Sequence, residues 1–156
     1  MRNLYFTVVL VLFFLFPSGN ILSQNNPVFF TNSNAWVDSI MLNLSPEERI
    51  AQLFMVAAYS NKGESHKKEI AHLVEKYKIG GLMFLQGGPL RQASLTNYYQ
   101  SKARVPLMIA LDAEWGLAMR LDSCVSFPWQ MTLGAIQDTN LIYDMGVEIA
   151  RQCKLL

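Results

Sequence analysis

Apolar residues along the chain fall into two patterns. The first is the short continuous run, seen in "LFMVAA" (53–58), "GLMFLQGG" (81–88) and "VPLMIALD" (105–112). Unbroken runs of this length, without polar alternation, predict strands buried in a parallel sheet covered on both faces. The second pattern recurs at helical spacing. In "GESHKKEIAHLVEKYKIGG" the residues Ile70, Leu73, Val74 and Tyr77 share one face, which predicts an amphipathic helix. Gly80 and Gly81 are expected to end it. Trp36, Val37, Ile40 and Met41 predict a short helix over 33–44, and Ile142, Met145, Ile149 and Cys153 predict a last one.

Helix starts are written in the sequence as well. Ser45, Pro46 and Glu48 form a capping box with proline at the first helical position. Gly87 and Gly88 turn the chain before Pro89, which starts a helix carrying Leu95, Tyr98 and Tyr99. Asp138 is expected to cap the last helix. Gly146 inside that helix costs about 1 kcal/mol against Ala, and close packing against a neighbour would explain it. The order is helix, strand, helix, strand, helix, strand, loop, helix: an α/β arrangement with parallel strands. No repeat or linker divides it.

Composition changes this picture at one end. Hydrophobic residues make up 51% of the 156 residues, but "MRNLYFTVVLVLFFLFPSG" inflates that share. Arg2, an uncharged apolar run over 4–16, and then Pro17, Ser18 and Gly19 are the pattern of a secretory signal peptide. The run falls short of the roughly 20 residues that a membrane span needs. Residues 1–23 are therefore expected to be removed, with no stable membrane span after cleavage, and the mature protein to be exported, periplasmic or extracellular. Residues 24–44 read as a linker and a short helix, and 45–156 as the domain.

A net charge of +1 with 16% charged residues argues against a nucleic-acid partner. Cys124 and Cys153 are too few for a disulfide framework or a zinc site. Export would permit their oxidation, while the apolar setting of Cys153 fits a buried free thiol. His66 and His72 are predicted to be helix residues without a catalytic role, His66 at the helix start and His72 on the solvated face. No metal and no cofactor is expected. The glycines after the second strand fit neither the dinucleotide nor the P-loop spacing.

Chemistry concentrates in "ALDAEWGLAMRL" (110–121). Sites in parallel α/β folds form at the carboxyl ends of the strands, and Asp112 stands at such an end. Glu114, two residues on, would point the same way in extended chain, roughly 7 Å from Asp112. Both carboxylates come from one strand end, whereas a glycosidase flanks the bond from two sides. One reading has Asp112 accepting hydrogen bonds from sugar hydroxyls, Glu114 pairing with a cation or a backbone amide, and Arg120 supplying a fork of donors. The other has an acidic turn closed by an arginine salt bridge.

"DAEWGLAMRL", "FPWQMTLGAIQD" and "LIYDMGVEIARQC", together with "LSPEERIAQLFMV", "KIGGLMFLQGG" and "VPLMIALD", resemble the N-terminal part of glycoside hydrolase family 3, in its β-N-acetylhexosaminidase branch. The resemblance covers position 44 to the end. It implies the first part of a TIM (β/α)₈ barrel, truncated before the fourth strand. It implies a carbohydrate partner, an N-acetylglucosamine-containing glycan or peptidoglycan fragment, whose terminal β-linked sugar is removed by a retaining mechanism. Asp112 and Arg120 match sugar-binding positions, and Glu114 matches a carboxylate of the site's architecture. Trp115 departs from the Gly-Gly that members often carry, and Leu117 stands where others have arginine. Trp115 either offers a face to a sugar ring or belongs to the core. No residue matches the family's acid/base histidine, aspartate nucleophile or Lys-His pair, so none is assigned as catalytic and the chain alone is expected to be inactive; the unpaired edge beside its third strand is expected to make it aggregation-prone. The competing readings are a β-glucosidase of the same family and a non-catalytic glycan-binding domain.

Overall fold

The computed structural model describes residues 34–156; the expected signal peptide and the linker up to residue 33 lie outside the described residues. Helix α1 (Ala35–Asn43) buries none of its residues, so Trp36, Val37 and Met41 remain exposed. From Ser39 onward the chain forms one compact unit.

Helix α2 (Pro46–Ala51) starts as its sequence dictates. The Ser45 hydroxyl accepts from the Glu48 amide at 3.2 Å, and the Glu48 carboxylate accepts from the Ser45 amide at 3.0 Å. Three strands follow, β1 (Met55–Tyr59), β2 (Gly81–Gln86) and β3 (Met108–Leu111). They pair in parallel in the order β1-β2-β3. Strand β1 begins two residues later than the apolar run suggests, because Leu53 and Phe54 occupy the exposed turn that leads into it.

Helix α3 (Glu64–His72) runs on into a π-helical turn, Leu73–Tyr77, and helix α4 (Pro89–Lys102) follows β2. Register explains the core. Val56, Leu82 and Ile109 stand in one row across the sheet, and Ala58, Phe84 and Leu111 in another. These rows pack against Ile70, Val74 and Tyr99 of the helices. Side chains alternate between faces along a strand, so Met55, Ala57, Met83, Met108 and Ala110 lie on the opposite face. Of these, Met55, Ala57 and Met108 are exposed and Met83 and Ala110 half-buried. The described residues therefore cover one face of the sheet, where the apolar runs predict cover on both.

Other expectations need correction. The helix after β1 ends at Lys78, in left-handed conformation (φ 58°), and not through a glycine cap. Gly80 is small for another reason: a Cβ there would lie 1.9 Å from the Gln52 carbonyl oxygen. Tyr77, on the expected buried face, is exposed; it lies in the π-helical turn, where the residue count per turn departs from the α-helical period on which that expectation rests.

Past β3 the chain forms a 3₁₀ turn (Leu117–Met119), a short helix α5 (Gln130–Leu133) and helix α6 (Thr139–Cys153). The Asp138 carboxylate caps α6, accepting from the Asn140 amide at 3.0 Å. Helix α6 buries none of its residues. Cys153 is exposed and free, not a buried thiol, and Cys124 is half-buried and free. A Cβ on Gly146 would meet nothing within 4 Å, so close packing does not account for that glycine, and nothing in the structure does.

Candidate functional site

Parallel pairing brings the carboxyl ends of β1, β2 and β3 to one edge. The chain after β3 folds back onto that edge and is tied to the turn after β2. The Gly87 amide donates to the Arg120 carbonyl at 3.2 Å, and the Asp122 amide to the Gly87 carbonyl at 2.8 Å, making a parallel bridge between Gly87 and Leu121. Gly87 adopts φ 142° and leaves no room for a Cβ, which would sit 1.8 Å from the Ser60 hydroxyl. Only glycine fits such a crossing. Ser60, buried at the end of β1, accepts from the Gly88 amide at 3.0 Å. Arg91 donates to the Ser60 carbonyl at 3.1 Å and pairs with Asp122 at 2.9 Å.

This anchoring holds Arg120 in place. Its guanidinium meets the Asp112 carboxylate at 2.5 Å, with both side chains about a third exposed. The Arg120 Nε is buried without a hydrogen-bond partner among the described residues. The alternation along β3 carries Asp112 to the uncovered face of the sheet. A partly exposed carboxylate-guanidinium pair presents acceptors and donors side by side, which suits adjacent hydroxyl groups. The structure thus brings together Asp112 and Arg120 as an ion pair, the contact that the salt-bridge reading of this segment requires; the sugar-binding reading needs only that both residues stand at the same edge.

Glu114 is placed differently from the expectation. The chain is not extended after Asp112: the Gly116 amide donates to the Ala113 carbonyl at 3.0 Å, and Glu114 sits on the exposed turn. Among the described residues its carboxylate has neither an ion-pair nor a hydrogen-bond partner, so it pairs with no cation or amide. Its backbone alone is engaged, the amide against the Met119 sulfur at 3.3 Å and the carbonyl with the Gln130 side chain. Trp115 is half-buried beside Trp129, with ring centroids 5.6 Å apart.

Neither histidine joins the site. His66 Nε2 accepts the Tyr59 amide at 3.2 Å, tying α3 to the end of β1, and His72 lies exposed with its ring edge-on to Tyr77. Among the described residues no group of three His, Cys, Asp or Glu is placed to hold a metal ion. Sequence reading missed the Arg91–Asp122 pair, the role of Ser60 and the position of Trp129. The glycines after β2 were the available signal for the first two.

A parallel α/β unit with a carboxylate-arginine pair at the carboxyl edge of its strands is the class that the geometry defines. Within that class, the chain belongs to the family described as glycosyl hydrolase family 3 N terminal domain, whose model matches residues 45–155. A curated relative from Cellulomonas fimi, a beta-N-acetylglucosaminidase/beta-glucosidase, is 25% identical over 122 residues, 78% of this chain and 21% of that protein. The chain thus spans about a fifth of that relative's length. A solved structure, the beta-glucoside phosphorylase BglX bound to 2FGlc, aligns with a TM-score of 0.48 and 21% identity, over 56% of this chain and 15% of that one. Among the described residues no helix is long and apolar enough to cross a membrane.

Proposed function

We propose that this chain forms the sugar-holding front of an exported glycosidase that removes terminal β-linked N-acetylglucosamine-type sugars from glycans. The observation that carries this reading is the Asp112–Arg120 pair, held partly exposed at the carboxyl edge by the Gly87–Leu121 bridge. Asp112 accepts from sugar hydroxyls and Arg120 donates to oxygens of the same ring. Together they fix the terminal sugar for attack at its anomeric carbon. The reaction is a retaining displacement, in which a carboxylate forms a glycosyl-enzyme intermediate that water then hydrolyses. We assign neither the nucleophile nor the acid/base to a residue of this chain. Family membership supports glycoside chemistry.

The fold we propose for the whole protein is a (β/α)₈ barrel of which this is the first part. Its support is the uncovered apolar face of the sheet, which would line a barrel interior. Export rests on the pattern of residues 1–23, and the compartment would be periplasmic or extracellular.

A second reading, β-glucosidase activity, draws support from the relative whose name carries both activities. Hydrolysis of an aryl N-acetyl-β-glucosaminide and an aryl β-glucoside by the protein at its full natural length separates them. Preference for the first substrate is expected; preference for the glucoside overturns the assignment in favour of the second reading. Turnover of either by the 156-residue chain alone would contradict the placement of the reacting groups outside it.

A further inference from the structure

We propose that Arg91 is a positioning residue for Arg120. By tying the end of β1 to the segment just after Arg120, it sets where the Arg120 guanidinium stands and so how tightly the sugar is held. The inference rests on the carbohydrate reading above and deepens it with a residue that bonds to neither member of the Asp112–Arg120 pair.

The Arg120 side chain is held at one point. Among the described residues its guanidinium bonds to the Asp112 carboxylate alone, and its Nε is buried without a partner. The aim of the fork therefore depends on the main chain at residue 120. That main chain lies in no strand or α-helix; it leaves the 3₁₀ turn Leu117–Met119. Two ties pin it from outside. One is the backbone bridge between Gly87 and Leu121. The other is Arg91, whose Nε donates to the Ser60 carbonyl at 3.1 Å and whose Nη2 donates to the Asp122 carboxylate at 2.9 Å. Among the described residues it is the one side chain that bonds both to the end of β1 and to the segment after Arg120.

The surroundings are shaped for this tie. A Cβ on Gly88 would come within 2.8 Å of both the Arg91 guanidinium and the Asp122 carboxylate, so glycine lets the pair close over the turn. Ser60 is buried and its hydroxyl accepts from the Gly88 amide at 3.0 Å, which gives Arg91 a fixed anchor on the sheet. Arginine reaches two acceptors on different segments with two nitrogens of one rigid plane, which a lysine ammonium does not reproduce. Both partners of the Arg91–Asp122 pair are more than half exposed, and exposed pairs contribute little to stability. The consequence of this one falls on geometry, where a displacement of about 1 Å at a positioned group costs up to about a hundredfold.

The test is titration of N-acetylglucosamine into the full-length natural protein and its variants, each with a thermal melt. Arg91→Ala is expected to lower affinity roughly tenfold with a melting temperature close to that of the wild type, and Arg91→Lys to recover part of the loss. In an Arg120→Ala background, Arg91→Ala should have no further effect, because its action runs through Arg120. If Arg91→Ala does not fold, Asp122→Ala breaks the same tie and reads the same loss. Unchanged affinity on breaking the tie, or an equal loss on top of Arg120→Ala, overturns the positioning role. Asp112→Asn reads the underlying assignment separately. Weakening in Asp112→Asn with none in Arg91→Ala refutes the positioning alone, whereas a wild-type protein that binds no sugar refutes the carbohydrate reading and the positioning with it.

Discussion

Helices α4 and α6 both follow strands of one parallel sheet, yet they end in different environments. Helix α4 buries Gln92, Thr96 and Tyr99, and Tyr99 has no exposed surface. Helix α6 has the cleaner apolar stripe in sequence, but Ile142, Met145 and Ile149 are only half-covered and Tyr143 and Val147 exposed. Periodicity states which face of a helix seeks cover. It does not state whether the covering element lies within the same stretch of chain. The region around β2 finds helices on one face and a strand on either side, while the region after β3 has neighbours on fewer sides.

The largest test of this contrast is core truncation. Phe84→Ala should cost about 3–5 kcal/mol, read by urea denaturation, because its ring is fully buried at the centre of the sheet. Met145→Ala in α6 should cost less than about 1 kcal/mol, in keeping with a half-covered position. Equal costs would erase the distinction between the two regions.

Two glycines sharpen it. Gly87→Ala forces a Cβ into the Ser60 side chain at a backbone angle reserved for glycine, and should destabilise by about 1–3 kcal/mol. Gly146→Ala meets open space inside a helix and should stabilise by up to about 1 kcal/mol. Thermal melts of the two variants should shift in opposite directions.

Tyr99 gives a smaller effect. Burial pushes its phenol up to about 12 from 10.0, and its hydroxyl has no hydrogen-bond partner among the described residues. The folded form keeps the proton longer than the unfolded chain, so the stability linked to Tyr99 is intact below pH 10 and is lost between about 10 and 12. Tyr99→Phe should therefore leave stability at neutral pH unchanged or slightly raised and flatten the alkaline limb of an unfolding curve.

The smallest effect lies on α6. Arg151 and Gln152 hydrogen-bond to Glu148 and hold its carboxyl down at about 2, against an ordinary 4.5. Its contribution is complete above pH 4.5 and disappears as the pH falls through about 2. Carboxyl NMR titration should place Glu148 well below the freely exposed glutamates; a value near 4.5 would dissolve that pairing.

Much of the fold was legible because it is local. The capping box at Ser45, the Pro89 start, the Asp138 cap and the three apolar strands are each specified by residues within a few positions of one another. So was the segment of the candidate site, since a strand that ends in aspartate at the carboxyl edge announces itself. What escaped depends on distant partners. Gly80 read as a helix stop, but its smallness answers the Gln52 backbone across the turn. Glu114 read as a companion of Asp112 because extended geometry was assumed; a turn closed by Gly116 removes it. Cys153 read as buried from its stripe, which is the same limit that α6 shows as a whole. Trp129 carried no local signal, for its meaning comes from Trp115, met through the Phe127 link.

The account turns on Asp112 as a ligand for sugar hydroxyls, and titration of N-acetylglucosamine into the full-length natural protein and its Asp112→Asn variant tests this most directly. Asparagine keeps the shape and removes the charge. Loss of a charged hydrogen bond should lower affinity by about ten- to a hundredfold, with the fold intact by circular dichroism. Equal affinity in the two proteins would contradict the account and leave the Asp112–Arg120 pair as a salt bridge that closes a turn.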